Sequence, residues 1–191
     1  MSKRVAILLA EGFEEAEAVI VLDVLQRLGV DVVTVACQAT RQVVSYHGLN
    51  VTADCLLSDV RTTLFDAVVL PGGPQGTVNL AASPQVTEFI REHDQAEKWI
   101  CPLCSAAARV LGGNRLLRGR RYVCSGDLHH TVDDGVYVDA HVVEDGNLIS
   151  GRGLGVAFDF AFYLAWRLTG EKEAINFQAE HIYYDSWRVP Q

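Results

Sequence analysis

Short apolar runs alternate along this chain with segments whose apolar residues recur at helical spacing. Residues 4–10 form a β-rich apolar run, and residues 30–36 form a second one. Between them, apolar residues lie three or four positions apart until Gly29, which favours the end of a helix. The helical positions are Ala16, Val19, Ile20, Val24 and Leu28. This strand, helix and second strand predict a parallel sheet.

The same alternation continues to about residue 168. Strands are predicted at residues 67–70, 99–103, 122–124, 136–143 and 148–150, and helices at residues 83–90, 105–111 and 155–168. Residues 41–59 carry short polar and β-branched pieces, which are typical of a small hairpin-like excursion. With no internal repeat or linker, the sequence predicts one α/β domain over residues 1–191 with a doubly wound, mostly parallel sheet.

Three segments follow the carboxyl ends of predicted strands: residues 11–17, residues 72–76, and the pair Cys104 and Ser105. Functional sites of doubly wound sheets form beyond those ends, so we expect the three segments to converge. Cys104 lies between a strand and a helix, where backbone N–H groups and the helix dipole lower the pKa of a thiol. We therefore predict a nucleophile elbow carrying a reactive cysteine, the alternative being a small buried hydrophobic residue.

Glu17 and the glycine turn supply the other candidate groups. Glu17 lies among apolar residues at a helix entry, and a half-buried carboxyl of raised pKa could share a proton with a thiolate. Gly72 and Gly73 offer backbone N–H groups that could hold an oxyanion or an oxidised sulfur, although a simple tight turn explains them equally.

Composition and charge narrow the class of protein. The 191 residues carry a formal net charge of -8, which argues against a nucleic-acid partner. The basic run of residues 115–121 lies among glycines and is typical of a solvated turn. No apolar stretch approaches the roughly 20 residues of a membrane helix, and the opening run is interpreted as a strand, not a signal peptide. Five cysteines form an odd set, which indicates free thiols in a reducing compartment, hence a cytoplasmic protein.

Four motifs together resemble the ThiJ/PfpI superfamily, and within it the DJ-one/YajL branch. They are residues 10–17 (AEGFEEAE), residues 69–73 (VLPGG), Cys104 at the elbow, and residues 150–155 (SGRGLG). The resemblance runs from about Lys3 to the region of Ile182. It implies a flavodoxin-like homodimer in which Cys104 is the oxidation-sensitive nucleophile, Glu17 its carboxyl partner, and Gly72 and Gly73 the backbone-donor turn.

The resemblance also implies an activity. Members of this branch are described as glyoxalases that need no cofactor, as deglycases of early glycation adducts, and as oxidative-stress chaperones. We expect a low-pKa Cys104 thiolate to add to methylglyoxal, or to a glycated protein or nucleotide, while Gly72, Gly73 and the Ser105 amide hold the oxyanion and Glu17 moves protons. No cofactor and no metal are expected.

Two positions depart from the family pattern. Residues 105–108 (SAAA) follow the cysteine where the family has Ala-Gly-Pro or a close variant, which predicts a more regular helix entry. Ser125 stands where a histidine is common, with His129 and His130 a few residues beyond. The sequence leaves open whether either histidine reaches the site.

Three alternatives use the same cysteine. A non-enzymatic redox-sensing chaperone would oxidise Cys104 to the sulfinic acid. A dithiol oxidoreductase would use the C-x-x-C pair of Cys101 and Cys104, and Cys101 could also act as a redox partner after oxidation. A zinc site, which lacks a second close cysteine pair, would draw on Cys101, Cys104, Cys124, His129 and His130.

Overall fold

The computed structural model describes residues 2–187, and its elements alternate as the apolar pattern indicates. The strands are β1 Arg4–Leu9, β2 Asp31–Ala36, β3 Gln42–Val44, β4 Asn50–Thr52, β5 Cys55–Leu56, β6 Ala67–Leu70, β7 Trp99–Pro102, β8 Arg121–Tyr122, β9 Val136–Tyr137, β10 Val142–Asp145 and β11 Leu148–Gly151. The α-helices are α1 Glu15–Arg27, α2 Pro74–Ala82, α3 Pro84–Gln95, α4 Ala157–Thr169 and α5 Lys172–His181.

A seven-stranded sheet runs through the centre in the order β10-β11-β7-β6-β1-β2-β5. All neighbours in it are parallel except β10 and β11, which form an antiparallel edge. The strands β3 and β4 pair separately as an antiparallel hairpin, in the region where the sequence predicts one. The doubly wound, flavodoxin-like α/β fold is thus confirmed.

Two hydrophobic cores cover the two faces of this sheet. In β1, Val5, Ile7 and Leu9 pack into the core that contains α1 and α4. Ala6 and Leu8 pack into the opposite core, with α3 and the segment after β7. All five side chains are buried, as expected for a parallel strand covered on both sides. The carboxyl ends of β1, β6 and β7 therefore open at one edge, between the two helical layers.

Two helices of the structure have no counterpart in the sequence predictions. Helix α2 follows the glycine turn directly and contains Gly76, where an added Cβ would lie 2.7 Å from the Cα of Phe13. Close packing requires glycine there, although glycine lowers helix propensity and hides the helical pattern. Helix α5 buries only Ile175, Gln178 and Ala179, too few apolar residues to predict it.

Two predicted elements are corrected. The strand predicted at residues 136–143 divides into β9 and β10, which belong to different sheets. The regular helix predicted at residues 105–111 is a π-helix over Ala107–Leu111, followed by a 3-10 turn at Gly112–Asn114. Gly112, directly after the π-helix, packs against Val132, and an added Cβ there would lie 2.7 Å from the Val132 Cγ2. The residue pattern of 105–111 does not reveal this tertiary contact. The regular helix entry expected after Cys104 is therefore wrong.

No helix within residues 2–187 is both long enough and apolar enough to span a bilayer.

His93 of α3 joins two segments inside the second core. Its Nε2 accepts the Phe65 N–H at 3.0 Å, so Nδ1 carries the proton and donates to the Phe89 carbonyl at 2.7 Å. The ring is buried, and this burial lowers the pKa of His93 below its ordinary value of 6.5. The bond from the Phe65 N–H requires the neutral imidazole, because a protonated Nε2 cannot accept.

We predict that His93→Ala lowers the free energy of unfolding by about 1–3 kcal/mol, because the Phe65 N–H is left buried and unpaired. Since the folded-state pKa is depressed, the stabilisation from neutral His93 is present above pH 6.5 and declines as the pH falls below it. Urea unfolding at pH 7.5 and pH 5.5 measures both effects. Substituting the exposed His141 provides the control, and an equal pH dependence in wild type and His93→Ala would contradict the assignment.

Candidate active site

Cys104 follows β7 on a strained backbone turn. Its φ angle is +58°, a left-handed conformation that costs a non-glycine residue about 1–3 kcal/mol. The turn is held from two sides, since the Cys104 N–H donates to the Gly151 carbonyl at 2.9 Å and its carbonyl accepts the Ser125 N–H at 3.2 Å. The strain and its support define the nucleophile elbow that the sequence predicts.

Glu17 projects from the first turn of α1 toward that elbow. The helix begins with Glu14 as its N-cap, whose Oε1 accepts the Ala16 N–H at 3.0 Å. Glu17 is completely buried, and its Oε2 accepts the Gly72 N–H at 2.7 Å. The Cys104 thiol also interacts with this carboxyl. The structure thus brings together the thiol and the carboxyl of the predicted pair.

Gly72 lies between the two reactive side chains. An added Cβ there would lie 2.6 Å from the Cys104 Cβ, 2.7 Å from Glu17 Oε2 and 3.1 Å from the Cys104 Sγ. A side chain at residue 72 would therefore have to displace the Cys104 and Glu17 side chains. Gly73 has a φ of +106°, and an added Cβ would collide with the Gly12 carbonyl oxygen. Packing therefore requires the glycine pair irrespective of any catalytic role.

The role expected of the glycine N–H groups changes in part. The Gly72 N–H, predicted to hold an oxyanion or sulfinate, is already engaged by Glu17. The Ser105 N–H faces the Cys104 sulfur. Oxyanion binding by Ser105 and Gly73 stays a prediction.

Burial controls the protonation of both reactive groups. It raises the pKa of Glu17 to about 7, against the opposing effects of the Gly72 N–H and the Cys104 thiol. Burial also raises the pKa of Cys104 to about 11, the negative charge of Glu17 adds to the rise, and hydrogen bonds from Ser125 and the Ser105 N–H oppose it. The low-pKa thiol expected from the sequence is therefore wrong, because burial and a neighbouring carboxylate outweigh the local donors.

The two pKa values, about 7 and about 11, define a wide pH range in which the pair holds one proton. That proton resides on either the sulfur or the carboxyl, so its two positions form one coupled system. Within this range Glu17 can take the thiol proton, which produces a thiolate without a permanently ionised cysteine. Reactivity at neutral pH is then expected to follow the ionisation of Glu17.

Ser125 is a site residue to which the sequence assigns no function. Its side chain hydrogen-bonds the Cys104 thiol and favours the thiolate. The sequence feature that could have indicated this role is the serine at residue 125, where the family commonly has a histidine. Gly153 borders the sulfur on another side, with an added Cβ 3.9 Å from Sγ.

His129 and His130 lie in a short 3-10 turn, Leu128–Thr131. The His129 ring stacks on Tyr137 with a centroid separation of 4.0 Å, and the His130 ring lies against His129 at 4.0 Å. The ring contacts of both histidines are thus with each other and with Tyr137. A Cys-His dyad gains no support from this arrangement.

The other cysteine-based alternatives also gain no support. Cys101 is fully buried in the core, and burial raises its pKa well above the ordinary thiol value, so it offers no accessible thiolate for dithiol exchange. The three cysteines and two histidines considered as zinc ligands do not form a cluster. Within residues 2–187, the potential metal ligands that do cluster are Glu14, Glu15 and His47.

The arginines of the basic run pair with acidic side chains, and two of them share one carboxylate. Arg120 and Arg118 pair with the buried Asp94 at 2.8 and 3.1 Å. The remaining pairs are Arg115 with Asp133 and Arg121 with Asp145. All four arginines of the run are therefore engaged in ion pairs.

Fold and site together define a class of protein: a doubly wound α/β protein with a cysteine on a strained elbow and a buried carboxyl beside it. Residues 3–166 match the model of the DJ-1/PfpI family, and the chain belongs to that family.

Relatives of known structure or name share this architecture. A cysteine-to-alanine mutant of a DJ-1 superfamily protein from Salmonella typhimurium is 63% identical, with a TM-score of 0.95, over 97% of this chain and 100% of its own. Drosophila melanogaster DJ-1beta is 32% identical in its crystal structure, with a TM-score of 0.92, over 96% of this chain and 98% of its own. The Caenorhabditis elegans protein named glutathione-independent glyoxalase DJR-1.2 is 31% identical, over 85% of this chain and 87% of its own.

Two Arabidopsis thaliana relatives, DJ-1 homologs B and A, are longer proteins. Each is 29% identical over 88% of this chain. The chain spans 38% and 43% of their respective lengths.

We predict that Gly72→Ala slows alkylation of Cys104 by iodoacetamide at pH 7.5 by at least about tenfold, which corresponds to about 1.4 kcal/mol. The added methyl group must displace the Cys104 and Glu17 side chains. Mass spectrometry of the Cys104 peptide measures the rate. Gly113→Ala is the matched control, because an added Cβ there meets no atom within 4 Å. Equal rates in wild type and Gly72→Ala would contradict the packing argument.

Proposed function

We propose that the protein is a cofactor-independent glyoxalase and deglycase that acts on methylglyoxal or its early glycation adducts. The observation that carries the proposal is the buried Glu17 carboxyl beside the Cys104 thiol, with a pKa of about 7 that suits a proton carrier at neutral pH. Membership of the DJ-1/PfpI family and the name of the C. elegans relative support it. The cytoplasm is the compartment we propose, given free thiols at all five cysteines.

The first step is addition of the thiol to the aldehyde. As Cys104 Sγ bonds to the aldehyde carbon, Glu17 takes the thiol proton and the aldehyde oxygen becomes an oxyanion. The Ser105 N–H faces the sulfur and is the donor placed to hold that oxyanion. Glu17 then returns the proton, which gives a neutral hemithioacetal.

Proton transfer and hydrolysis complete the reaction. Glu17 removes the proton from the former aldehyde carbon while the ketone oxygen gains one, which gives an enediol. Protonation of the former ketone carbon, with loss of the proton from the other hydroxyl, gives a lactoyl thioester on Cys104. Water cleaves the C–S bond, releases lactate and restores the thiol. The oxidised and reduced carbons are neighbours in one substrate, so no external redox partner takes part.

Deglycation would use the same intermediate. In a hemiaminal formed by methylglyoxal on an amine, Cys104 Sγ attacks the carbon that carries nitrogen and the C–N bond breaks. The amine leaves with a proton from Glu17, and the enzyme holds the same hemithioacetal. Glycated proteins and nucleotides are the partners that this route implies.

We predict that methylglyoxal turnover, measured as lactate, is abolished in Cys104→Ala and falls at least about 100-fold in Glu17→Gln, the lower end of general acid–base contributions. Wild-type activity should increase as the pH rises through about 7, because Glu17 must be ionised to accept the thiol proton. Glu173→Gln, at an exposed position in α5, is the control.

The same experiment separates the second candidate, a redox-sensing chaperone. The Ser125 hydroxyl and Ser105 N–H around Sγ could hold the oxygens of a sulfinate, which is the observation that favours it. Wild-type protein without aldehyde turnover, but with peroxide-dependent client binding lost in Cys104→Ala, would replace the enzymatic proposal with this one.

We also propose a homodimer, as the family resemblance implies. Val19, Tyr46 and Leu49 are each about half exposed, at 51%, 53% and 50%. They belong to two adjacent segments, because Glu15, one turn before Val19 on α1, pairs with His47 at 2.8 Å. A second copy would cover this apolar surface.

We predict that Val19→Asp shifts the protein from dimer to monomer in sedimentation equilibrium, because the new charge would be buried against the second copy. Leu64→Asp is the control, since Leu64 is equally exposed at 53% but lies outside this surface. A monomeric wild type would contradict the proposal.

A further inference from the structure

Two buried hydroxyl groups meet directly behind the candidate nucleophile. Thr77 lies in the first turn of α2, and Ser105 immediately follows Cys104. Their Oγ atoms are 3.0 Å apart, and both side chains are buried. Thr77 Oγ1 also lies 2.9 Å from the Gly73 carbonyl oxygen.

The direction of these hydrogen bonds follows from the chemistry of the groups. A carbonyl oxygen only accepts, so the Thr77 hydroxyl proton is committed to Gly73. The Ser105 hydroxyl must then donate to Thr77 Oγ1. Arg109 supports the same point, because its Nη1 donates to the Pro74 carbonyl at 3.0 Å and approaches Thr77 Oγ1 at 3.4 Å. The result is a directed chain from Ser105 through Thr77 to Gly73, which we term the hydroxyl chain.

This chain connects the two halves of the thiol–carboxyl pair. One end is the residue after Cys104. The other end is the carbonyl of Gly73, the residue after Gly72, and the Gly72 N–H holds Glu17. We infer that Thr77 and Ser105 are positioning residues, which fix the glycine turn against the elbow and so set the separation of the Cys104 sulfur and the Glu17 carboxyl. The inference rests on the proposed function only in taking Cys104 as the working nucleophile.

The geometry indicates that the Ser105–Thr77 hydrogen bond positions the turn and the elbow, and does more than satisfy two buried hydroxyl groups. The bond from Thr77 to Gly73 spans four residues and satisfies the Thr77 proton within its own helix. The bond from Ser105 joins segments 28 residues apart in the sequence, at the point where the turn and the elbow are in van der Waals contact. An alanine at residue 105 would remove this link and leave the local threonine bond intact.

The expected consequence concerns Glu17. The groups that face it are the Cys104 thiol, the Gly72 N–H and the Glu14 carboxyl. Of these, the Gly72 N–H belongs to the turn whose next carbonyl, that of Gly73, the hydroxyl chain holds. In the intact protein, the hydrogen bond from the Gly72 N–H lowers the pKa of Glu17. Loosening the turn weakens this hydrogen bond. The pKa of Glu17 should therefore rise when the chain is broken, and Cys104 should become less reactive at neutral pH.

The test is the pH profile of Cys104 alkylation by iodoacetamide, followed on the Cys104 peptide. We expect Ser105→Ala and Thr77→Val to move the step near pH 7 upward by about 0.7 unit, the size of one net hydrogen bond. This shift slows alkylation at pH 7.5 about twofold, because a smaller fraction of Glu17 is ionised. The double variant should lose no more than the single variants, since either change breaks the same chain. Thr77→Ser, which keeps the hydroxyl, should restore the wild-type profile.

Thr87→Val is the matched control, because Thr87 also donates to a carbonyl four residues earlier, that of Ser83, but lies in α3. Profiles of Ser105→Ala and Thr77→Val that superimpose on wild type overturn the inference, even where thermal stability falls. If Thr77→Val fails to fold, Ser105→Ala decides, since it removes one oxygen and adds no volume. Alkylation needs no substrate, so a protein without methylglyoxal turnover still tests the inference, and the two proposals can fail separately.

Discussion

The close approach of Gly72 to both reactive side chains is the constraint on which the site depends. Three chain segments that are far apart in sequence meet within van der Waals contact there: the start of α1, the turn after β6 and the elbow after β7. The parallel sheet makes this meeting inevitable, since it ends all three strands at one edge. The glycine then lets the backbone replace a side chain, so that an N–H group reaches Glu17 directly. The hydrogen bond from the Gly72 N–H to Glu17 Oε2 thus links the turn after β6 to the candidate site.

The electrostatics follow from that enclosure. A carboxyl and a thiol removed from water both resist ionisation, and each makes the other harder to ionise. The pair responds by retaining one proton over a wide pH range. This arrangement differs from a thiolate stabilised by a helix, and the short π-helical segment after Cys104 is consistent with the difference. In the proposed mechanism, the chemistry depends on whether this proton resides on the sulfur or on the carboxyl.

The elements with strong hydrophobic periodicity are predictable from the sequence. The buried strands, α1 and the position of the elbow were predicted because hydrophobic spacing and glycine stops specify them locally. Helix α2 was missed because Gly76 is selected by its contact with Phe13, a tertiary requirement. The pair of Cys104 and Glu17 was predicted from its location and from family motifs. The sign of the thiol pKa shift was not, because it depends on burial, and burial depends on packing that spacing alone does not reveal.

The left-handed backbone at Cys104 carries a further consequence for how this chain can change. The conformational penalty at that position falls on any residue with a Cβ, and glycine alone escapes it. Selection for thermal stability without selection for activity would therefore favour removal of the nucleophile itself. A cysteine that persists at this strained position in descendants of the chain would therefore indicate selection for its function.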